Sequence, residues 1–362
     1  MTRRRKIVSK LRASMSEKKL GALLVTSGCN VHYLTGFTGS DSIVILTRHQ
    51  QVLLTDFRYV EQGQKECPDW EVVEHPDVPW TEWMAKFLTK HRLKRLAFEA
   101  DYMSWHQYRR LSEAAPKAQL EPTVGLVEEL RVTKAAWEVD GIRRALRAAE
   151  SAFDQLRSRI VPGVSEKELA DELEVLLRRE GASQSSFDTI VAFGARSSLP
   201  HARSGATRLK KNSTVLVDWG ARLDWYNSDL TRVLVAGRVT SKFEKLYRVV
   251  ADAQKAGIEA VGPGVEAAQV DAAARDVIRK AGYAQRFGHG LGHGVGLEVH
   301  EAPALRSRSE VNLMPGMVIT IEPGIYIPGW GGIRIEDMVL VTHTGHEVLS
   351  SLDKGLESVT IC

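Results

Sequence analysis

Five side chains able to bind divalent metals follow one another in the C-terminal half of the chain: Asp218, Asp229, His293, Glu322 and Glu336. Four carboxylates brought together would repel one another and tend to keep their protons. Two divalent cations remove that repulsion, four negative charges against four positive, and a neutral imidazole from His293 completes the set. Oxygen-rich ligation with one imidazole suits Mn²⁺, Fe²⁺, Co²⁺ or Zn²⁺, and the lack of thiolate donors argues against a structural zinc site. Two such ions about 3.5–4 Å apart can bridge a hydroxide and hold the oxygen of a tetrahedral intermediate. The chemistry implied is metal-assisted hydrolysis.

The surrounding sequence says how these donors are held. Asp218 lies in TVLVDWG (214–220) and Glu322 in MVITIEPG (317–324), apolar β-rich runs that each end in an acid, one residue and a glycine. Those acids are 104 residues apart, and the next acids, Asp229 and Glu336, are 107 apart. Further upstream, Pro162-Gly163-Val164, a helical stretch and Gly181 recur 101 residues later as Pro263-Gly264-Val265, a helical stretch and Gly282. This shared order predicts two duplicated αβ halves, each bringing a carboxylate pair to a common floor. His293 belongs to the second half alone, within GHGLGHG (288–294), where glycines let the backbone approach a ligand closely. Apolar spacing over residues 127–160 predicts a helix stopped by Pro162-Gly163. A second helix starts at Ser165, with Glu168 forming a capping box and Gly181 suited to a left-handed C-cap.

Before residue 125, the β-rich runs ALLVT (22–26), SIVILT (42–47) and QVLLTDF (51–57) alternate with helical stretches at 80–92 and 103–114, the pattern of an α/β layer domain. The expected organisation is therefore α+β in two domains, residues 1–125 and 126–362. A hydrophobic content of 43% and charged content of 26% are ordinary for a globular protein, and no apolar run approaches the roughly 20 residues of a membrane span. A net charge of +4 is too small to suggest nucleic acid as a partner. The cluster Arg3-Arg4-Arg5-Lys6 leads into a mixed stretch and reads as the solvated start of a helix. Cys29, Cys67 and Cys362 are scattered and odd in number, which points to reduced thiols in the cytoplasm.

The segments VDWGARLDWYNSDLTR (217–232), FGHGLGHGVGLEVHEAP (287–303) and MVITIEPGIYIPGWGGIRIED (317–337) resemble the pita-bread metallopeptidases, in their proline-specific branch of aminopeptidase P and prolidase. FDTIVAFGARSSLPHARSG (187–205), NVHYLTGFTGSDS (30–42) and VEELRVTKAAWEVDGIRRA (127–145) extend the resemblance over nearly the whole chain. It implies an N-terminal α/β creatinase-like domain followed by a duplicated αβ pita-bread catalytic domain. It also implies two divalent metal ions per subunit, Mn²⁺ first, with Co²⁺, Zn²⁺ or Fe²⁺ as alternatives. Asp218 would hold one metal, His293 and Glu322 the other, and Asp229 and Glu336 would bridge both.

Glu322 would also carry a proton between water and the leaving nitrogen. His201 and His300 match the family's active-site histidines that are not ligands, Arg334 matches an arginine that pairs with carboxylates, and His289 supports the site. The activity implied is hydrolysis of the bond between an N-terminal residue and proline in short peptides by a metal-bridging hydroxide, an Xaa-Pro aminopeptidase. The alternatives are an Xaa-Pro dipeptidase restricted to dipeptides and, in another class, a metal-free binding protein. A cytoplasmic homodimer without nucleic-acid or membrane partners is expected. Two residues depart from the family pattern: Trp225 stands where glycine is common, beside the second ligand, where it would narrow the cleft, and Leu291 stands where threonine is common. The remaining aromatics, Trp219, Tyr226, Tyr326 and Trp330, read as core or pocket wall.

Overall fold

In the computed structural model, which describes residues 3–75 and 78–361, the chain divides into the units Met1–Arg131 and Val132–Cys362. Cys362 lies outside the described residues, while Cys67 is a buried free thiol. In the first unit the apolar runs pair into a mixed sheet ordered Glu71–Glu74, Gln51–Thr55, Ser42–Thr47, Ala22–Val25, Arg95–Glu99 and Gln119–Thr123. The strand Ala22–Val25 is buried at every position, as a strand covered on both faces must be. Helices Trp80–Lys90 and Trp105–Ala114 supply cover through Met84, Phe87 and Leu111, which cluster with Leu24 and Leu96. The arginine cluster does open a helix, Arg3–Glu17.

The second unit carries the repeat. Helices Glu166–Arg179 and Ala267–Lys280 occupy corresponding places, and the Ser165 capping box forms as its sequence requires. Gly163 and Gly264 enter them, and Gly181 and Gly282 leave them, with φ of +100°, +81°, +94° and +88°, a region costly for other residues. The likeness extends to hydrogen bonds: the Gly163 N–H donates to the Leu209 carbonyl at 2.9 Å, and the Gly264 N–H to the Leu313 carbonyl at 2.7 Å. Each half then builds an antiparallel pair, Ser213–Trp219 with Leu230–Ala236 and Val318–Ile321 with Asp337–Val341. Leu216, Val233, Ile319 and Val339 from these strands share one buried cluster with Phe243, Leu246 and Val250 of helix Ser241–Glu259. Both carboxylate pairs therefore stand on one packed base.

Two expectations need correction. The periodic stretch 127–160 is two helices, Glu128–Val132 and Ala136–Arg157, rather than one. Between them the Lys134 N–H donates to the Gly316 carbonyl at 2.7 Å and the Ala135 N–H to the Glu138 carboxylate at 2.9 Å, so partners outside the helical ladder take these donors. Trp225 does not narrow the cleft, since it is absent from the cleft wall. It sits in a turn at φ +74°, with the Arg222 guanidinium 4.6 Å from its ring centre.

Trp219, next to Asp218, anchors the first carboxylate strand to the helix behind it. The side chain is fully buried, stacks on Phe153 at 4.2 Å and donates its indole N–H to the Ala149 carbonyl at 2.9 Å. Trp219→Ala should destabilise the protein by about 3–5 kcal/mol, the usual cost of emptying such a site. Urea unfolding measures this directly, and a loss below about 1 kcal/mol would contradict the packing described.

Candidate metal centre

Asp218 lies near the end of strand Ser213–Trp219, and Asp229 immediately precedes Leu230–Ala236. In the second half, Glu322 follows Val318–Ile321 directly, Glu336 directly precedes Asp337–Val341, and His293 is the middle residue of Gly292–Gly294. Strand ends thus bring donors from both halves together. His293 Nε2 is 3.4 Å from Glu322 Oε1 and 3.6 Å from Asp229 Oδ2, and donor atoms of Asp229, His293 and Glu336 all lie within 4.8 Å of one another. Asp218 opens onto the same cleft, whose volume is about 770 Å³ and whose wall also includes His201, His289, His300 and Arg334.

The histidine is presented in one orientation. Its Nδ1 lies 3.1 Å from the Gly294 carbonyl, which can only accept, so Nδ1 carries a proton and Nε2 is the ring atom that faces the carboxylates and would offer a lone pair to a cation in place of a proton. Behind it, a Cβ on Gly292 would fall 2.0 Å from the Thr320 carbonyl oxygen, so only glycine allows this approach. The His293 N–H donates to Thr320 Oγ1 at 3.1 Å, and that hydroxyl donates to Glu322 Oε1 at 3.3 Å. Thr231 plays the matching part for the other pair. Its hydroxyl donates to Glu336 Oε2 at 2.7 Å and accepts from Arg334 Nε at 3.0 Å.

Burial pushes the carboxyls of Asp218, Asp229 and Glu336 above their ordinary range, and for the last two the neighbouring carboxylates push further. Glu322 goes the other way: burial opposes its charge, but the hydrogen bond and charge of His293, with Arg334 beyond, outweigh it. Asp218 Oδ1 and Glu336 Oε1 are buried without a hydrogen-bond partner. A buried polar atom left unpaired costs roughly 2–7 kcal/mol, and more if charged. A divalent cation is the partner these oxygens lack, so the donor set fits two of them in kind and in charge.

The other residues singled out in the sequence surround these donors. His300 stands ring to ring with His293 at 4.4 Å, and desolvation lowers its pKa, which leaves it neutral at pH 7. His201 is exposed at the cleft wall. Arg334 is buried and donates Nη2–H to Asp218 Oδ2 at 2.5 Å and Nη1–H to the Tyr326 hydroxyl at 2.8 Å. His289 donates from Nδ1 to the Gly290 carbonyl at 2.8 Å, so its Nε2, 2.9 Å from the Tyr326 oxygen, accepts that hydroxyl's proton. Burial pushes the Tyr326 phenol up to about 12, so it keeps that proton. Thr231, Thr320 and the polar role of Tyr326 went unread in the sequence, because each depends on a partner distant along the chain. Another donor group, Asp41, Asp56 and His75, is a poor rival, since the Arg58 guanidinium already pairs with both aspartates at 3.3 and 2.5 Å.

Residues 140–343 match Metallopeptidase family M24, and residues 7–133 match the Creatinase/Prolidase N-terminal domain. The chain belongs to metallopeptidase family M24. It is 33% identical over 351 residues to an Xaa-Pro dipeptidase of Pyrococcus furiosus, covering 96% of this chain and 99% of that one. Among solved structures it resembles an Xaa-Pro dipeptidase from Bacillus anthracis at 39% identity and a TM-score of 0.95, with 99% of each chain covered. It also resembles an X-Pro aminopeptidase from Thermotoga maritima MSB8 at 34% identity and a TM-score of 0.89, covering 95% of this chain and 99% of that one. The M24 membership carries the pita-bread fold and the character of a metallo-exopeptidase. Among the described residues no helix is long and apolar enough to cross a membrane.

If Thr231 orients Glu336, Thr231→Val, which keeps the shape and removes the hydroxyl, should weaken Mn²⁺ binding about 10–100-fold while the fold is retained. Calorimetric titration of metal-stripped protein reads the effect. An unchanged affinity would show that the hydroxyl is incidental.

Proposed function

We propose that this M24 enzyme hydrolyses the peptide bond between an N-terminal residue and proline, with Xaa-Pro dipeptides as its first substrates. The observation that carries the reading is the pair of buried, unpartnered carboxylate oxygens, Asp218 Oδ1 and Glu336 Oε1, among five donors on one cleft. Asp218, Asp229, His293, Glu322 and Glu336 would hold two divalent ions, Mn²⁺ by preference. Bound there, such a pair supplies an activated water and polarises the scissile carbonyl.

The chain's own residues do the rest. Glu322 takes the proton from the attacking water and returns it to the proline nitrogen, which cannot leave as an anion. Neutral His300 offers an N–H to the oxygen on which negative charge develops, and His201 offers another from the cleft wall. Arg334 holds Asp218 in place and sets a permanent positive charge against the carboxylates. Proline suits this arrangement because its amide has no N–H for a binding site to demand. The names of the similar proteins favour dipeptides. A second reading, the aminopeptidase acting on longer Xaa-Pro peptides, is favoured by the extent of the cleft, whose wall runs on from the donors to Lys167, Asp171 and Glu174 on one helix. We extend the proposal to a cytoplasmic homodimer, a compartment that suits a reduced thiol such as Cys67.

The test is hydrolysis of Ala-Pro, Ala-Pro-Ala and Ala-Ala by Mn²⁺-loaded enzyme. Ala-Pro should be cleaved faster than Ala-Pro-Ala, and Ala-Ala should resist. The opposite order of the first two establishes the aminopeptidase, and cleavage of Ala-Ala alone sinks the proline assignment. Glu322→Gln should fold yet lose at least about 10²–10⁴-fold in turnover, the share of a general base; near-normal activity would remove Glu322 from its role.

A further inference from the structure

Asp337 follows Glu336 directly, and successive side chains of a strand point to opposite faces. Its carboxylate is buried, does not line the cleft, and is enclosed by three donors. Arg232 Nη2 donates to Oδ1 at 2.8 Å, Gln254 Nε2 donates to Oδ2 at 2.7 Å, and Lys354 Nζ also donates to Oδ2. Arg232 lies three residues beyond Asp229 and its Nη1 donates to the main-chain oxygen of Glu336. The same guanidinium reaches the Thr231 carbonyl at 3.0 Å and the Leu352 carbonyl at 3.0 Å. One cation therefore touches the backbone of both halves and of the C-terminal segment.

That segment is fastened at several points. Lys354 Nζ donates to Gln254 Oε1 at 2.8 Å, and the Lys354 carbonyl accepts from the Tyr247 hydroxyl at 3.1 Å. The Met338 N–H donates to Ser350 Oγ at 2.9 Å, while Glu150 accepts from the Ser351 hydroxyl at 2.7 Å and from the Leu352 N–H at 3.2 Å. The contacts run along the first residues of the strand that Glu336 introduces. Nothing in the hydrolysis itself calls for them.

We propose that Arg232, Asp337 and Lys354 are positioning residues: a buried ion network by which the C-terminal segment fixes the main chain at Glu336 and at the strand following Asp229, setting these two carboxylates to act as cation ligands. The inference rests on the reading of Asp229 and Glu336 as metal ligands. A buried charge that loses its partner is strongly unfavourable, so weakening the network should let the backbone at Glu336 shift. The effect should fall on metal binding, since the outer partners of ligands commonly set metal affinity over 10–100-fold.

Lys354→Met is the first variant, because the lysine side chain is 36% exposed and Arg232 and Gln254 still cover Asp337. Asp337→Asn, which keeps the shape and one acceptor oxygen but removes the charge and turns the other acceptor into a donor facing donors, is the second. Full-length protein is stripped of metal and titrated with Mn²⁺ by calorimetry, and the spin-coupled Mn²⁺ pair is followed by electron paramagnetic resonance. Both variants should bind at least one Mn²⁺ about tenfold more weakly and show less coupled signal at equal Mn²⁺, and Lys354→Arg should restore most of it. Turnover at saturating Mn²⁺ should approach that of the unaltered enzyme. Folded variants with unchanged Mn²⁺ affinity and coupling would overturn the inference and leave the network a support of the fold alone. Unaltered protein that binds no Mn²⁺ would instead remove the metal-centre reading and this inference with it.

Discussion

Mutual repulsion among buried carboxylates governs this protein. Asp229 and Glu336 stand within reach of one another and of His293, in a place where burial alone already disfavours their charges. No fold would gather such groups for stability, because a buried carboxylate without a countercharge is among the costliest things a chain can enclose. Arg334 supplies one positive charge and is spent on Asp218. The remaining negative charge calls for cations from solution, and the hydrolytic chemistry follows from that need.

The duplicated architecture is a means of delivering such a set. A pair of antiparallel strands from each half aims two acids at one place, and a single packed cluster behind them prevents the halves from drifting apart. Within that frame the two halves solve the same orientation problem with threonines, Thr231 behind Glu336 and Thr320 behind Glu322. Asymmetry then enters through the second half alone. Gly292 brings the backbone of His293 against the neighbouring strand, and the Gly294 carbonyl fixes which ring nitrogen faces the carboxylates. The chemistry is set by these small departures from the repeat, as much as by the repeat itself.

Much of this was legible in the sequence. The donors could be read because metal ligation restricts residue type, and the halves because PGV, a helix and a glycine recur with their left-handed turns intact. Strands such as Ser42–Thr47 announced themselves by unbroken β-branched and apolar runs. What escaped was decided by partners distant along the chain. The interruption at residues 133–135 depends on the Gly316 carbonyl, which no helical periodicity reveals. Asp337 carried no reading of its own in the sequence, and only the meeting of Arg232, Gln254 and Lys354 around it shows that it faces away from the cleft. Trp225 misled for the converse reason: nearness to Asp229 in sequence suggested the cleft wall, yet a left-handed turn carries it elsewhere.

Metal stoichiometry probes the governing constraint most directly. Protein stripped of metal, then equilibrated with excess Mn²⁺ and freed of unbound ion, should retain two Mn²⁺ per chain by elemental analysis. Replacing Asp229 with asparagine should lower that number. Retention of no metal by correctly folded protein, or the same content in both proteins, would contradict the account.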